Sequence, residues 1–493
     1  MKKNTTIFSL VFMTVILGIS VGLTASHLIK LDLTPRTNTF ELDDIDFWGN
    51  EGDDWARDVI VDSNGYVFVA GCSEKTSGGD SDIFLRKYAP DLTLVWNISW
   101  GTEEGYEVGG CIALDSEENI LVTGGINTIL ERNGATENYA FIVKFDTDGN
   151  ELANGTHYCG TNQETWWGVK AKEDGTIYTA GEIYYPMNDT SDAVYAIWDN
   201  DLTTLLTHGK WFDGTKEGRD RAESIQPTSD GGFIIVGRSN SFGSDVNQEH
   251  EGFIAKYDSS EVLEDYIIYG DDNFYQHFLE IIEDSLGNYY ICGIAGSMIE
   301  TSWNGAILQK YNSSLGLVWE TFYDTDYNDA FYDVILGSDN NLYCAGYIEE
   351  VLNNHDVFIA KYSTTGDLLD SDIWGADKID WGTAIAEGIN NEFYVPASIN
   401  STAICSYPRE NDVALLAYNL QQITSPPPST TTPPETSAPP ETTTPPETSP
   451  PDNFTTSTPT FSTTDTTDGL TIISTFLGFL GLITLIVILK KRK

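Results

Sequence analysis

The chain has 493 residues, of which 75 are Asp or Glu and 26 are Lys or Arg, so its formal net charge is −49. Nucleic acid, anionic lipid surfaces and other polyanions are disfavoured partners, because each would meet repulsion and release no counterions. Two positive interpretations of the charge are a surface suited to saline water and the binding of hard divalent cations such as calcium.

Residues 1–26 have the pattern of a secretory signal peptide. Lys2 and Lys3 precede an uncharged apolar run from Ile7 to Leu23, and small residues follow at 24–26. The alternative is an uncleaved signal anchor.

A repeat then extends over residues 38–420. Aromatic residues recur at intervals of 51 to 58 residues, which is typical of a toroid or a solenoid. These boundary aromatics are Trp48, Trp100, Tyr158, Trp211, Tyr269, Tyr323 and Trp374. Each repeat has an alternating stretch, an Asp/Asn/Gly turn and an apolar strand that ends in glycine, as in WARDVIVDSNGYVFVAG. The strand-end residues are Gly71, Gly124, Gly181, Gly237, Gly293 and Gly346, with Ala397 in the last repeat. Glycine at this place predicts a bulge or a close backbone approach.

A third strand in each repeat has the pattern acid-x-apolar-x-x-Lys-aromatic, as in DIFLRKY and DVFIAKY, and a fourth strand leads to the boundary aromatic. Four antiparallel strands in about 50 residues predict one blade of a β-propeller. The recurring acid and lysine are interpreted as structural, because a catalytic constellation is seldom repeated in every unit. The boundary aromatics are interpreted as packing between blades.

The two ends of the repeat complement each other. The seventh repeat stops after its third strand, DVALLAYNL, whereas Phe40–Trp48 has the character of a fourth strand and precedes the first repeat. The sequence therefore predicts an all-β fold, a seven-bladed β-propeller of four-stranded antiparallel blades. Its N-terminal strand would complete the last blade and leave no free edge.

The blade motifs D-x-A-x-x-I-x-x-D-x-x-G-x-x-Y-V-A-G, D-x-F-I-x-K-Y-D and W-G resemble the bacterial and archaeal "beta-propeller repeat" family often called SBBP. The resemblance covers roughly Phe40 to Leu420. It implies a propeller fold and a surface or secreted setting, and it implies no defined activity.

The loops between second and third strands differ most between repeats, and the repeat places them all on one rim. Loops on a rigid scaffold commonly carry recognition. The ligand-binding candidates there are the aromatic residues Tyr184, Tyr185, Phe242, Trp303 and Tyr407.

One acidic connection is a calcium candidate: Asp324, Asp326, Asn328 and Asp329 imitate the first half of an EF-hand loop. Ala330 and Ile335 stand where an EF-hand needs glycine and glutamate, so only a propeller-loop calcium site remains possible. Calcium is the one cofactor that the sequence suggests.

No catalytic residue is assigned. The histidines have neither i, i+4 pairing nor a shared repeat position, and no G-x-S-x-G, H-E-x-x-H or phosphate-loop motif is present. Paired carboxylates are too numerous to single out a glycosidase pair.

The C-terminal segments predict a membrane-anchored stalk. Residues 424–468 are rich in Thr and Pro, which favours an extended and disordered spacer. Leu470–Leu489 is an uncharged run of the length of a transmembrane helix, and the basic residues 490–493 that follow should stay cytoplasmic. The propeller would then be extracellular.

Six sequons and six cysteines fit an exported protein. The glycosylation candidates are Asn97, Asn154, Asn188, Asn312, Asn400 and Asn453. The cysteines allow up to three disulfides, although Cys292 and Cys344 lie in predicted strands, where cysteine is often a small apolar residue.

The leading functional prediction is a non-enzymatic cell-surface module that binds an extracellular protein or glycan. The alternatives are a structural envelope component and an extracellular carbohydrate-active hydrolase or lyase. Exposed aromatic residues on the loop rim favour binding, whereas Asp, Glu, Arg or His residues that converge at one end of the channel favour an enzyme.

Overall fold

The computed structural model describes residues 40–420 except 76–79, 103–104, 131–134, 159–161, 212–217, 243–249, 271–274, 297–303, 326, 353, 376–377 and 401–410, and also residues 466–467 and 470–471. The chain divides into two compact units, Met1–Ser425 and Pro426–Lys493. The predicted signal peptide, the cytoplasmic tail and nearly all of the stalk lie outside the described residues.

Little of the predicted membrane helix at 470–489 is described. Leu470–Thr471 forms a two-residue strand, β31, that pairs with β30, Thr466–Thr467. Within the described part of the chain, no helix is long and apolar enough to cross a membrane.

The first compact unit is all-β, and its strands follow one another as antiparallel meanders of four. The N-terminal strand is β1, Phe40–Trp48. The first repeat contains β2 (Asp54–Val61), β3 (Val67–Glu74), β4 (Ser81–Tyr88) and β5 (Leu94–Trp100). The second contains β6 (Gly105–Leu114), β7 (Ile120–Leu130), β8 (Ala135–Phe145) and β9 (Glu151–Tyr158). The third contains β10 (Gln163–Ala171), β11 (Ile177–Tyr185), β12 (Thr190–Trp198) and β13 (Leu205–Lys210).

The remaining repeats continue the same order. The fourth contains β14 (Asp220–Pro227), β15 (Phe233–Ser239), β16 (Glu251–Tyr257) and β17 (Leu263–Tyr269). The fifth contains β18 (His277–Glu283), β19 (Tyr289–Gly296), β20 (Asn304–Tyr311) and β21 (Leu317–Tyr323). The sixth contains β22 (Asp329–Leu336), β23 (Asn341–Val351), β24 (Asn354–Ser363) and β25 (Leu368–Trp374). The last contains β26 (Asp380–Gly382), β27 (Ala386–Glu387), a 3-10 turn at Ile389–Asn391, β28 (Glu392–Ile399) and β29 (Asp412–Leu420).

The last repeat takes its fourth strand from the N-terminus, as the sequence predicts. Strand β1 pairs antiparallel with β29, from Phe40 opposite Leu420 to Trp48 opposite Val413. First strands of successive repeats contact one another, and β28 contacts β2, so the last repeat meets the first. Consecutive four-stranded meanders that pack in this way have the arrangement of a β-propeller.

Most of the boundary aromatics pack between adjacent repeats, in agreement with their structural interpretation, whereas Tyr158 is exposed and contacts Tyr139 of its own repeat. Trp211 of the third repeat stacks on Phe253 of the fourth, with ring centroids 4.0 Å apart. Trp100 and Tyr323 make the equivalent contacts to the third strand of the following repeat. The apolar cores therefore lie between neighbouring sheets.

The strand-end glycines lie opposite bulges in the first strand. In each of the first six repeats, the register between first and second strands shifts by one residue beside the glycine, as between Ala56 and Asp58 opposite Gly71. A Cβ atom on any of these glycines would come within 2.2 Å of a first-strand carbonyl oxygen. The predicted close backbone approach is thus present.

The recurring lysine of the third strand is structural, but its partner is not the acid of the same strand. Lys144 contacts Asp115, in the turn between first and second strands, at 2.9 Å. Its ammonium group also donates to Asn200, in the next repeat, with 2.9 Å to the side-chain oxygen. Lys256 and Lys361 contact turn aspartates of their own repeats in the same way. The lysine therefore ties a turn, a strand and, at Lys144, a neighbouring repeat together.

Candidate functional site

In each of the first six repeats, the first-strand bulge contains one extra residue, whose identity differs from repeat to repeat. A bulge leaves one residue unpaired and re-aims its side chain. These bulge residues are Arg57, Gly110, Trp167, Glu223, Leu279 and Tyr332. Because they belong to different sheets, any contact between them marks the point where the first strands converge.

Two arginines from different repeats meet on one tryptophan. The guanidinium carbon of Arg221 lies 4.0 Å from the ring centroid of Trp167, and that of Arg57 lies 5.5 Å from it. Arg57 and Trp167 belong to the first and third repeats. Gly110, at the bulge of the second repeat, packs against the backbone of Gly71, where an added Cβ atom would come within 2.8 Å. Cationic side chains are attracted to the face of an indole, so Trp167 holds both arginines at the centre.

A hydrogen-bonded chain of four side chains lies beside this pair. Arg238 donates a hydrogen bond to the Tyr275 hydroxyl at 2.7 Å. The same hydroxyl lies 3.2 Å from His277 Nδ1, and His277 Nε2 lies 2.6 Å from Glu223 Oε1. Burial alone would raise the pKa of Glu223, but the charge of Arg221 and the hydrogen-bonded contact with the His277 imidazole lower it to about 2. Burial lowers the pKa of His277, so the imidazole is neutral near pH 7 and polarised by a carboxylate.

Arginines also line a cavity of about 150 Å³ at the rim of the second-to-third-strand loops. Its lining residues are Glu182, Tyr184, Ser191, Arg219, Arg221 and Arg238. Arg219 pairs with Asp189, and Arg221 pairs with Glu223 at 2.8 Å. Among the described residues, neither Arg57 nor Arg238 has a carboxylate within 4 Å, and the Nε atom of Arg57 and the Nε1 atom of Trp167 are buried donors without an acceptor. The arrangement can accept an anionic group.

Three acids occupy the same position in different repeats, one residue after the bulge, and lie close enough for their charges to interact. Asp58 and Asp333 each accept a backbone N–H from the next repeat, from Ile112 at 2.9 Å and from Ile385 at 2.8 Å. The third acid, Glu280, lies 3.4 Å from the Nζ atom of Lys170, two repeats away. These channel acids, Asp58, Glu280 and Asp333, join neighbouring repeats.

Asp333 gives the fold a predicted dependence on pH. Burial and the charges of Glu280 and Asp58 raise the pKa of Asp333 to about 8. A carboxyl whose pKa is higher in the folded than in the unfolded chain stabilises the fold while it holds its proton, and this stabilisation is lost as pH rises through the folded value. We expect Asp333→Asn to be more stable relative to wild type at about pH 9 than at about pH 5, as thermal unfolding at both pH values would measure.

Asp339→Asn is the matched control, because the fold shifts the pKa of Asp339 in the opposite direction from that of Asp333. Burial opposes the shift, but hydrogen bonds from Lys361 and Asn341 lower the pKa of Asp339 to about 2. Its stabilisation is present above the unfolded pKa near 4 and is lost as pH falls. Between pH 5 and pH 9 the contribution of Asp339 should therefore stay constant, so a change in the relative stability of Asp339→Asn as large as that of Asp333→Asn would contradict the assignment.

The predicted ligand-binding aromatics have different surroundings. Tyr184 lines the cavity and donates to Asp189 at 2.8 Å, with the Arg219 guanidinium 5.9 Å from its ring. Tyr185 donates to Asp192 at 2.8 Å and also contacts Lys210. Phe242 packs on Trp211 with centroids 5.3 Å apart, which is a core contact. Trp303 and Tyr407 lie outside the described residues.

The predicted calcium ligands are described in part. Asp329 is buried and accepts the Thr325 N–H at 2.6 Å, while Asn328 Nδ2 donates to Glu349 at 3.0 Å. The first-strand position of Asp329 holds Asp54 in the first repeat, which accepts the Asn50 N–H in the same way. Asp329 is therefore a repeated loop cap. Asp324 is described, Asp326 is not, and calcium binding by Asp324, Asp326, Asn328 and Asp329 stays a prediction.

Four of the predicted glycosylation sites are exposed, namely Asn97, Asn154, Asn188 and Asn312, whereas Asn400 is half-buried and Asn453 is outside the described residues. Cys72, Cys111, Cys292 and Cys344 are free thiols. Cys292 and Cys344 are fully buried in strands, as expected of small apolar residues.

No sequence motif indicates the bulge residues or a cluster of two histidines and a glutamate. The bulge residue follows a buried small or aromatic residue of the first strand, such as Ala56 or Trp166, and its identity differs in each of the first six repeats. This variability is the sequence signal that could have indicated Arg57, Trp167 and Glu223. The cluster consists of His157, Glu164 and His208, whose ligand atoms lie within 4.8 Å of one another. Its members are far apart in sequence, so no spacing motif marks them.

No family model and no curated protein matches the chain. Solved structures with a similar fold include a PL25 ulvan lyase, a polysaccharide lyase, at 10% identity and TM-score 0.46, covering 75% of this chain and 95% of the other. The β-propeller domain of the Trilobed protease from Pyrococcus furiosus matches at 7% identity and TM-score 0.42, covering 76% and 98%. The endosialidase of phage phi92 matches at 9% identity and TM-score 0.42, covering 90% and 76%. Functional inference therefore depends on this chain's own side chains.

Proposed function

We propose that the protein is a membrane-anchored, cell-surface β-propeller of seven blades that binds an anionic glycan at the loop rim. The bulge residues and the cavity supply the recognition surface. The predicted signal peptide, stalk, membrane helix and relation to the SBBP repeat family belong to this proposal.

The concentration of arginine at one place carries the proposal. The chain contains nine arginines, and four of them lie at the bulges and the cavity, namely Arg57, Arg219, Arg221 and Arg238. The net charge of −49 disfavours polyanions over the protein as a whole, but an anionic group would meet positive charge at this place. Arginine binds carboxylates and sulfates through paired, charge-assisted hydrogen bonds. Arg57 and Arg238, which have no carboxylate partner in the described residues, are the groups available to such a ligand.

Aromatic faces beside the arginines favour a sugar as the carrier of the charge. Tyr184 lines the cavity, and Trp167 lies between Arg57 and Arg221. A uronic acid combines a carboxylate with an apolar ring face, so a uronate-containing polysaccharide is the ligand class that fits. A neutral glycan would offer no carboxylate to Arg57 and Arg238.

The chain from Arg238 to Glu223 favours lyase activity as a second candidate. In uronate elimination a base removes the C5 proton, the C4–O bond breaks, and the departing oxygen takes a proton. Arg238 could neutralise the carboxylate, and Tyr275, whose pKa burial raises, and the neutral His277 are the groups that could move these protons. Their 3.2 Å contact is the observation that supports this candidate.

The test uses purified full-length protein with a polyuronate and with a neutral glucan of similar length. We expect the polyuronate to be retained and Arg238→Gln and Arg57→Gln to weaken binding roughly tenfold or more, since a hydrogen bond to a charged group contributes about 1.5–3 kcal/mol. Isothermal titration gives the affinity, and ultraviolet absorbance detects an unsaturated uronate product.

Arg86→Gln is the matched control, because Arg86 lies over Trp48 at 4.1 Å, away from the cavity. Its variant should bind as wild type does. Equal retention of the neutral glucan, or no retention of either polymer, would overturn the proposal. Formation of the unsaturated product would show lyase activity and would overturn the proposal of a non-enzymatic binding protein.

A further inference from the structure

Two histidines and a glutamate from two neighbouring repeats converge outside the arginine site. Glu164 begins the first strand of the third repeat, His157 is in the last strand of the second, and His208 is in the last strand of the third. His157 Nδ1 lies 2.8 Å from Glu164 Oε2, and His208 Nε2 lies 2.9 Å from Glu164 Oε1. The two imidazole rings are stacked with centroids 4.2 Å apart.

The surroundings of Glu164 differ from those of the same position in other repeats. Asp54, Asp220 and Asp329 stand there in the first, fourth and sixth repeats, and they accept hydrogen bonds from backbone or hydroxyl groups of nearby loops. Glu164 instead faces two imidazoles, and each of its oxygens is near a different ring. A carboxylate that serves only as a loop cap does not require them.

The three side chains form a ligand set that suits a transition metal. Two imidazole nitrogens and a carboxylate are ligands that Zn²⁺ takes, with bond lengths of about 2.0–2.2 Å. The ligand atoms lie within 4.8 Å of one another, so small side-chain rotations bring all three to one ion. Trp166 Nε1 donates to Glu164 Oε1 at 2.9 Å, and such a second contact orients a metal-binding carboxylate.

The cluster is buried on the side of the glutamate and accessible to solvent on the side of the histidines. The Glu164 side chain is fully buried, whereas those of His157 and His208 are 27% and 19% exposed. An ion could enter from solvent and keep a position for water. We propose that His157, Glu164 and His208 form a binding site for a divalent transition metal, with Zn²⁺ as its occupant.

Titration of Zn²⁺ into chelator-treated full-length protein, followed calorimetrically, tests the site. We expect one equivalent to bind with a rise in melting temperature, and Co²⁺ to give a visible absorption band from nitrogen and oxygen ligands. Both His157→Ala and His208→Ala should weaken Zn²⁺ binding at least tenfold and abolish the Co²⁺ band. His157 and His208 are partly exposed, so their substitution should not impair folding. The test therefore does not need Glu164→Gln, which changes a fully buried side chain.

His250→Ala is the control, because it removes an imidazole that lies against Tyr275 instead. It should bind Zn²⁺ as wild type does. Absence of Zn²⁺ uptake by wild type, or unchanged uptake by both histidine variants, would overturn the site. Equal competition by Ca²⁺, which prefers oxygen ligands, would also overturn it.

Discussion

Lys144→Met should destabilise the protein by about 3 kcal/mol, because it leaves a buried carboxylate without its cation. The side chains of Lys144 and Asp115 are 6% and 0% exposed, and their charged atoms are 2.9 Å apart. The same ammonium also donates to Asn200 in the next repeat, so the substitution removes a tie between two sheets. Methionine keeps the length and the apolar stem of lysine, which confines the loss to the charge and its hydrogen bonds. Chemical denaturation would measure the difference.

Lys361→Met is the matched control for this prediction. Lys361 occupies the same repeat position and contacts Asp339 at 2.8 Å, but the Asp339 side chain is 36% exposed. Water can solvate that carboxylate when the lysine is removed, so the loss should stay below about 1 kcal/mol. Equal losses of stability for Lys144→Met and Lys361→Met would mean that burial of the aspartate does not determine how much the lysine contributes to stability.

The fold was predictable because its signals are local and repeated. Alternating residues, turn residues and strand-end glycines each recur within a few positions, and the unpaired strand at Phe40–Trp48 matched the strand missing from the last repeat. The structure pairs these two ends in the predicted direction. The partner of the repeated lysine was not predicted from its own strand, because the aspartate that it contacts lies in the turn between the first and second strands.

The site was less predictable, because a bulge changes which side chains face the centre. An extra residue in the first strand interrupts the two-residue alternation, so Arg57 and Trp167 do not follow the pattern of their neighbours. Their contact joins residues 110 positions apart and depends on how three sheets are arranged. Of the predicted rim aromatics, Tyr184 lines the cavity and Phe242 packs on Trp211, and ligand binding by either residue stays a prediction.

The two candidate sites use the same structural principle. Each lies where a repeated structural position has been filled by a residue of different chemistry: Glu223 and Trp167 at bulges, and Glu164 at the loop-cap position. The unvaried positions, such as the strand-end glycines and the lysines, hold the sheets in place. Function in this protein is therefore expected at exceptions to the repeat.

Gly293→Ala should lower the free energy of unfolding by about 3 kcal/mol or more, at least as much as Lys144→Met. The reason is that the added Cβ atom would overlap with the backbone of the neighbouring strand. The nearest atom to that Cβ would be the His277 carbonyl oxygen at 2.0 Å, which cannot rotate away as a side chain can. The bulge beside Phe278 would have to open, which would also displace His277 from Glu223. Gly305→Ala is the control: its added Cβ would meet the Asp324 side chain at 3.3 Å, and stability should change by less than about 1 kcal/mol. In the last repeat Ala397 occupies this place, where Pro396 has no N–H to donate and the first strand is divided into β26 and β27. Denaturation of both variants would measure the effect, and a Gly293→Ala protein as stable as Gly305→Ala would show that the bulges yield readily to an added methyl group.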